Sequence, residues 1–186
     1  MKAKHKLFVA ILLVSFSQCY CQSQNTEKSV EWVNFDVMAT YLSQGTGKWT
    51  GENKNYDSTR PRSPKAFGLW FTRPLKSMMT IKIVAYVQDT VLLSSQGIFA
   101  WHPEKKQFIH VTSDLRSGFS EGYSSFPNDT TFISTMVNYR PNGKVSNHKD
   151  ENFIVNENVH RNTSYGKNEK GEWTEKGNWV WTRDPE

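Results

Sequence analysis

Only two cysteines occur in the 186 residues, Cys19 and Cys21. So few cannot frame a small disulfide-built scaffold, which relies on several bridges in place of a core. Long hydrophobic runs are missing as well. The longest, Leu7 to Val14, falls short of the roughly 20 apolar residues that span a bilayer as a helix. There is no internal repeat and no low-complexity segment. No two histidines stand at i, i+2 or i, i+4, and there is no His-Glu-x-x-His, so no local zinc site is written in the chain. No cofactor motif stands out: Gly45-Thr46-Gly47-Lys48 lacks the phosphate-loop spacing, and Trp49 stands where Ser or Thr would hold Mg²⁺.

The first 21 residues account for most of what is unusual in the composition. Lys2, Lys4 and Lys6 precede the short apolar run, and the polar segment ending Cys19-Tyr20-Cys21 follows it. A basic start, a short apolar core and a small-residue end form the pattern of a secretory leader. Cleavage after Cys21 is expected, with export to the periplasm or outside the cell. The rival is lipid attachment at Cys19 or Cys21, but Gln18 and Tyr20 stand where that signal wants a small residue. Without the leader, 165 of the 186 residues remain, both cysteines are gone, and the net charge drops from +5 to +2 because three lysines leave and no acid does. At that charge, and without a basic run, nucleic-acid binding has no electrostatic footprint.

What remains is aromatic. All seven tryptophans lie after residue 21. Residues 22–28 form a polar linker, and a single domain spans 29–186. Helical spacing predicts one helix over 29–43, with Val30, Val33, Val37 and Tyr41 as its apolar stripe, widened by Met38 and Leu42. Gly45 and Gly47 then end it. Beyond Lys48 the period switches to two. Met79 to Val87, Phe132 to Tyr139, Phe153 to Arg161 and Trp179 to Arg183 all alternate in the manner of strands. Turns fall between Trp101 and Phe108, at Pro127-Asn128-Asp129, at Asn142-Gly143 and at Lys170-Gly171. Strands joined in sequence by short turns make a meander, and closure removes its exposed edges. The fold class expected is therefore mostly β: an antiparallel up-and-down barrel with one N-terminal helix.

The stretch Gly47-Lys48-Trp49-Thr50-Gly51-Glu52, directly after a short helix, resembles the entry strand of a bacterial lipocalin-like (calycin-type) barrel family of unknown function. Phe99 to Pro103, continuing through Thr112-Ser113-Asp114, resembles that family's hairpin, with Trp101-His102-Pro103 where the family has Tyr-Asp-Pro. Trp179 to Arg183 is similar to its closing strand. The resemblance implies that Arg183 stacks over Trp49 as a structural pair closing one end of the barrel. It also implies an interior able to hold a small molecule.

Several constellations bear on chemistry. Gly118-Phe119-Ser120-Glu121-Gly122 matches the hydrolase nucleophile elbow, but strand and turn follow it where that chemistry needs a helix. Its glycines are read as permitting a bend in a curved sheet. Asn128-Asp129-Thr130 and Asn162-Thr163-Ser164 fit glycosylation acceptors and predict surface turns. His102 and His148 are expected in solvent. His160 is the one histidine placed on a late strand as a haem ligand would be, although a structural role is the simpler reading. His110, Glu121, Tyr123, Glu157 and Arg161 are the candidate ligand-binding residues. His110 shares a strand face with Phe108, Glu121 and Tyr123 share one with Phe119, and Glu157 and Arg161 share one with Phe153. If those aromatic faces point inward, the five converge on one cavity that takes a small hydrophobic or amphiphilic molecule. The alternatives are an enzyme in the barrel mouth, which needs at least two of His110, Glu121, Glu157 and Arg161 together, and an interaction protein with an exposed apolar patch.

Overall fold

The structure is a computed structural model that describes residues 29–185. The leader and linker expectations fall on residues 1–28, outside the described residues. Helix α1 (Val30–Ser43) comes first. Ten strands follow: β1 (Lys48–Glu52), β2 (Ala66–Leu75), β3 (Met78–Val87), β4 (Thr90–His102), β5 (Gln107–Asp114), β6 (Phe119–Asn128), β7 (Thr131–Tyr139), β8 (Val145–Asn156), β9 (Val159–Lys167) and β10 (Trp173–Arg183). Each strand pairs with the next, and β1 pairs with β10, closing an antiparallel up-and-down barrel. The expected fold class is the observed one. Among the described residues no helix is long and apolar enough to cross a membrane.

Local chemistry accounts for the helix bounds. Ser29 caps the start, its side chain accepting from the Trp32 amide at 3.3 Å, and Glu31 places a negative charge in the first turn. At the far end Gly45 and Gly47 adopt φ of 60° and 62°, left-handed values open to glycine. The buried face corrects the expected one in part: Met38, Tyr41 and Leu42 are buried as expected, and the valines are not. Val30, Val33 and Val37 are exposed, whereas Phe35, Met38, Ala39 and Leu42 are buried. Those four stand at i, i+3, i+4 and i+7, and Phe35 supplies more apolar area to bury than any of the valines.

Helix α1 lies across one end of the barrel, against β6 and β2. Asn34 docks it by donating to the Phe126 carbonyl at 2.8 Å, and Arg73 of β2 pairs with Asp36. Phe35 stacks on Phe108 with centroids 3.8 Å apart and meets Phe126 edge-on. The hairpin expected between Trp101 and Phe108 forms, with those two residues directly opposite. The Asn142-Gly143 and Lys170-Gly171 turns also form. In Gly-x-Ser-x-Gly the whole motif runs into β6 without a helix. A Cβ on Gly122 would lie 1.9 Å from the Thr135 carbonyl oxygen, so glycine there lets β6 and β7 approach closely.

Candidate functional site

Antiparallel partners point to the same side of a sheet, so the register divides the interior from the exterior. The row Trp49, Leu69, Ile83 and Ser95 points in, as does the row Phe99, His110, Gly122, Met136 and His148. At the helix-capped end the interior is filled. Trp49, Phe108, Phe126 and Trp181 are buried there beneath Phe35, Met38 and Leu42. Gly51 makes room for this packing, since a Cβ on it would lie 2.8 Å from the Trp181 ring.

Arg183 locks the capped end. Its guanidinium lies over the Trp49 ring at 4.0 Å from the centroid, as the resemblance implies. The same group donates to the Tyr41 and Gln44 carbonyls at 2.7 and 2.9 Å, and to the Glu157 carbonyl in the β8–β9 turn. A cation thus sits against carbonyls at the C-terminus of α1, where the helix dipole is negative.

His160 belongs to the capped end. It is buried, edge-on to Trp49 with centroids 4.6 Å apart and stacked on Trp181 at 6.2 Å. Among the described residues neither ring nitrogen has a hydrogen-bond partner, and burial together with the nearby Arg183 charge pushes its pKa down to about 3. It does not line the cavity described next.

Beyond this plug lies a cavity of about 320 Å³ inside the barrel, at the small end of the ~300–1,000 Å³ typical of ligand sites. Its two walls differ in kind. Phe67, Leu69 and Phe71 of β2, Ile81 and Ile83 of β3, and Trp179 and Trp181 of β10 form an apolar wall. Strands β5 to β9 form a polar wall that includes His110, Thr112, Ser120, Ser134, Asn152 and Asn162.

Asp150 organises the polar wall. It accepts from His148 Nε2 at 2.9 Å, Ser164 Oγ at 2.5 Å and Asn162 Nδ2 at 3.3 Å. Burial alone would raise the carboxyl pKa, but these hydrogen bonds and the His148 charge hold it below the ordinary range. Burial likewise opposes charge on His148, yet the Asp150 carboxylate raises the imidazole pKa above its usual value. Ser124 and Ser134 satisfy one another at 2.7 Å. His110 stacks on Phe99 with centroids 4.0 Å apart, and neither of its ring nitrogens is hydrogen-bonded among the described residues. Burial pushes its pKa down to about 4, so the ring is neutral at pH 7.

Of the five candidate ligand residues, only His110 faces this cavity. Glu121 and Tyr123 lie on the outer face of β6, where Glu121 accepts from the Tyr139 hydroxyl at 3.3 Å. Glu157 sits in the exposed β8–β9 turn, and Arg161 points out from β9 opposite the exposed Phe153 and Val180. The inward placement conditional on the Phe119 and Phe153 faces is therefore corrected. The even-numbered residues of β6 point in because Phe126 is anchored beneath α1. The four groups named for a barrel-mouth enzyme do not meet.

Two expectations about polar residues also reverse. His148 is ion-paired at the cavity instead of free in solvent. Asn162 and Ser164 lie within β9 and line the cavity instead of a surface turn. A visible signal for these is the polar alternation His148-x-Asp150-x-Asn152 and His160-x-Asn162-x-Ser164. Among the described residues no three His, Cys, Asp or Glu side chains form a metal cradle. Compared with protein-family models and with curated proteins, the chain matches none.

Proposed function

We propose that this protein binds a small amphiphilic molecule inside its barrel, as an exported member of the lipocalin-like barrels that Gly47 to Glu52 resembles. The observation that carries the reading is the two-walled cavity, with aromatic and aliphatic groups facing hydroxyl, amide and imidazole groups across about 320 Å³. Apolar area supplies affinity in such a site, and a few fixed polar groups set orientation. The basic start and short apolar run before Cys21 support export, and N-terminal sequencing of protein recovered outside the cytoplasm would check it.

Titration with an uncharged, environment-sensitive aminonaphthalene ketone dye, together with native mass spectrometry, tests the binding reading. Ser120 lines the cavity on β6, so Ser120→Phe puts a ring into the space. The variant should keep the β-sheet circular dichroism of the parent and lose dye binding by tenfold or more, as an order-of-magnitude expectation for a filled pocket. Equal binding by parent and variant places the dye elsewhere and overturns the reading.

A further inference from the structure

The charges and unpaired polar groups of the cavity go further than its size. Among the described residues no lysine or arginine lines it. Besides His110 its titratable groups are His148 and Asp150, which bond to each other at 2.9 Å. Both oxygens of Asp150 are already engaged, Oδ1 by Ser164 and Asn162 and Oδ2 by His148. A ligand anion would lose its hydration without gaining a free cation, and a ligand cation would compete for a carboxylate already saturated.

The adjoining side chain is different. Asn152 is 7% exposed and lines the cavity, and among the described residues nothing hydrogen-bonds its amide. It stands between Phe132 and Asn162 in the register. An amide on a cavity wall offers donors and an acceptor to whatever fills the cavity. Thr112 and Ser120 add hydroxyls with no protein partner among the described residues. Opposite them, Phe67, Phe71, Phe99, Trp179 and Trp181 present aromatic surfaces, which favour flat rings stacked or edge-on.

We infer that the cavity selects an uncharged, ring-bearing molecule whose hydroxyl, carbonyl or amide head bonds to Asn152, and rejects the carboxylate or ammonium analogue of the same body. The inference rests on the binding reading above.

Four probes of one body test it: naphthalene, 2-naphthol, 2-naphthoate and 2-naphthylmethylammonium, titrated at pH 7.5 into the whole protein and followed by calorimetry. 2-Naphthol should bind on the order of tenfold more tightly than each of the others, the contribution of one well-made hydrogen bond. Asn152→Leu should weaken 2-naphthol about tenfold and leave naphthalene essentially unchanged. Asn152→Asp, which keeps the shape, should transfer the preference to the ammonium probe and serves if the leucine variant fails to fold. Equal or tighter binding of 2-naphthoate, or an unchanged preference in the variants, overturns the selectivity while leaving the binding reading standing. No binding by any of the four to folded parent overturns both.

Discussion

The capped end and the cavity level of this barrel are built on the same strands, and each holds a buried, neutral histidine. At the capped end His160 is enclosed by Trp49, Trp181 and Tyr41. At the cavity level His110 rests on Phe99 beside open space. The difference lies in side-chain size along each strand. Interior residues of β5 pass from Phe108 to His110 to Thr112, and those of β6 from Phe126 to Ser124 to Gly122. On β2 and β3 the interior stays bulky, with Leu69, Phe67, Ile81 and Ile83. Space therefore opens on one side only, and that side is the polar one. The capped end derives its stability from shape, whereas the cavity level gives up packing for hydrogen-bonding groups.

The largest effect expected from breaking this contrast comes from Phe35→Ala. Phe35 is fully buried between Phe108 and Phe126, so urea unfolding should show a loss of about 3–5 kcal/mol. Ligand affinity, measured well below the transition, should hold. A loss under about 1 kcal/mol would mean that the cap is not integral to the core.

Acid separates the two histidines next. Both folded pKa values, about 4 for His110 and about 3 for His160, lie below the unfolded value near 6.5. The unfolded chain then takes up protons that the folded chain refuses. Their contribution is complete above pH 6.5 and is lost as pH falls toward 4 and 3 respectively. Each should cost about 2 kcal/mol between about pH 6.5 and 5. His148, whose pKa is raised by Asp150, has the opposite sign: its stabilisation is complete below the unfolded value and fades as pH climbs through the folded one. Urea midpoints from about pH 5 to 7 should flatten in His160→Phe without a change in ligand binding. In His110→Phe the slope should flatten and binding should change too. Unchanged slopes in both would show that neither ring is kept neutral.

Arg183→Met should cost about 2 kcal/mol by removing the charged donor to the helix carbonyls and the cation over Trp49. Arg183→Lys should recover little, because one ammonium cannot span Tyr41, Gln44 and Glu157. Full recovery by lysine in thermal melts would reduce the role of Arg183 to bare charge. The smallest effect belongs to the cavity wall: Ser124→Ala strands the Ser134 hydroxyl and should cost about 1 kcal/mol. A larger loss would show that the polar wall is as tightly packed as the cap.

Much of the frame is legible in the sequence alone. Helical spacing places the helix within a residue of α1, turn residues mark the Trp101–Phe108 hairpin and the Asn142-Gly143 turn, and the Trp49–Arg183 pair follows from the resemblance. Which strand face is interior is not legible there. Period-two alternation is identical for a strand and its mirror assignment, and both faces of β6 carry an aromatic, Tyr123 outside and Phe126 inside. The rule that aromatic faces point inward fails on the polar wall. There, Phe119 and Phe153 are exposed and His148, Asp150 and Asn152 line the cavity. A bulge between Ile154 and Asn156 further shifts the count along β8. The helix stripe fails at its valines for a related reason: three valines make a clear period, but Phe35 carries the area, whereas Met38, Tyr41 and Leu42 are buried as expected.

The pairing of β1 with β10 has a consequence for the order in which the barrel is assembled. Thr50 and Asp184 bond across a sequence separation of 134 residues, whereas the other strand pairs form between neighbours in the chain. Loop-closure entropy makes that seam the last to zip. Arg183, on the same final strand, brings the helix carbonyls to the seam as it closes. Until then β1 and β10 are two open edges of a curled sheet, each able to recruit a neighbouring chain. The latch on the final strand thus sets how long this chain is vulnerable to aggregation while it folds.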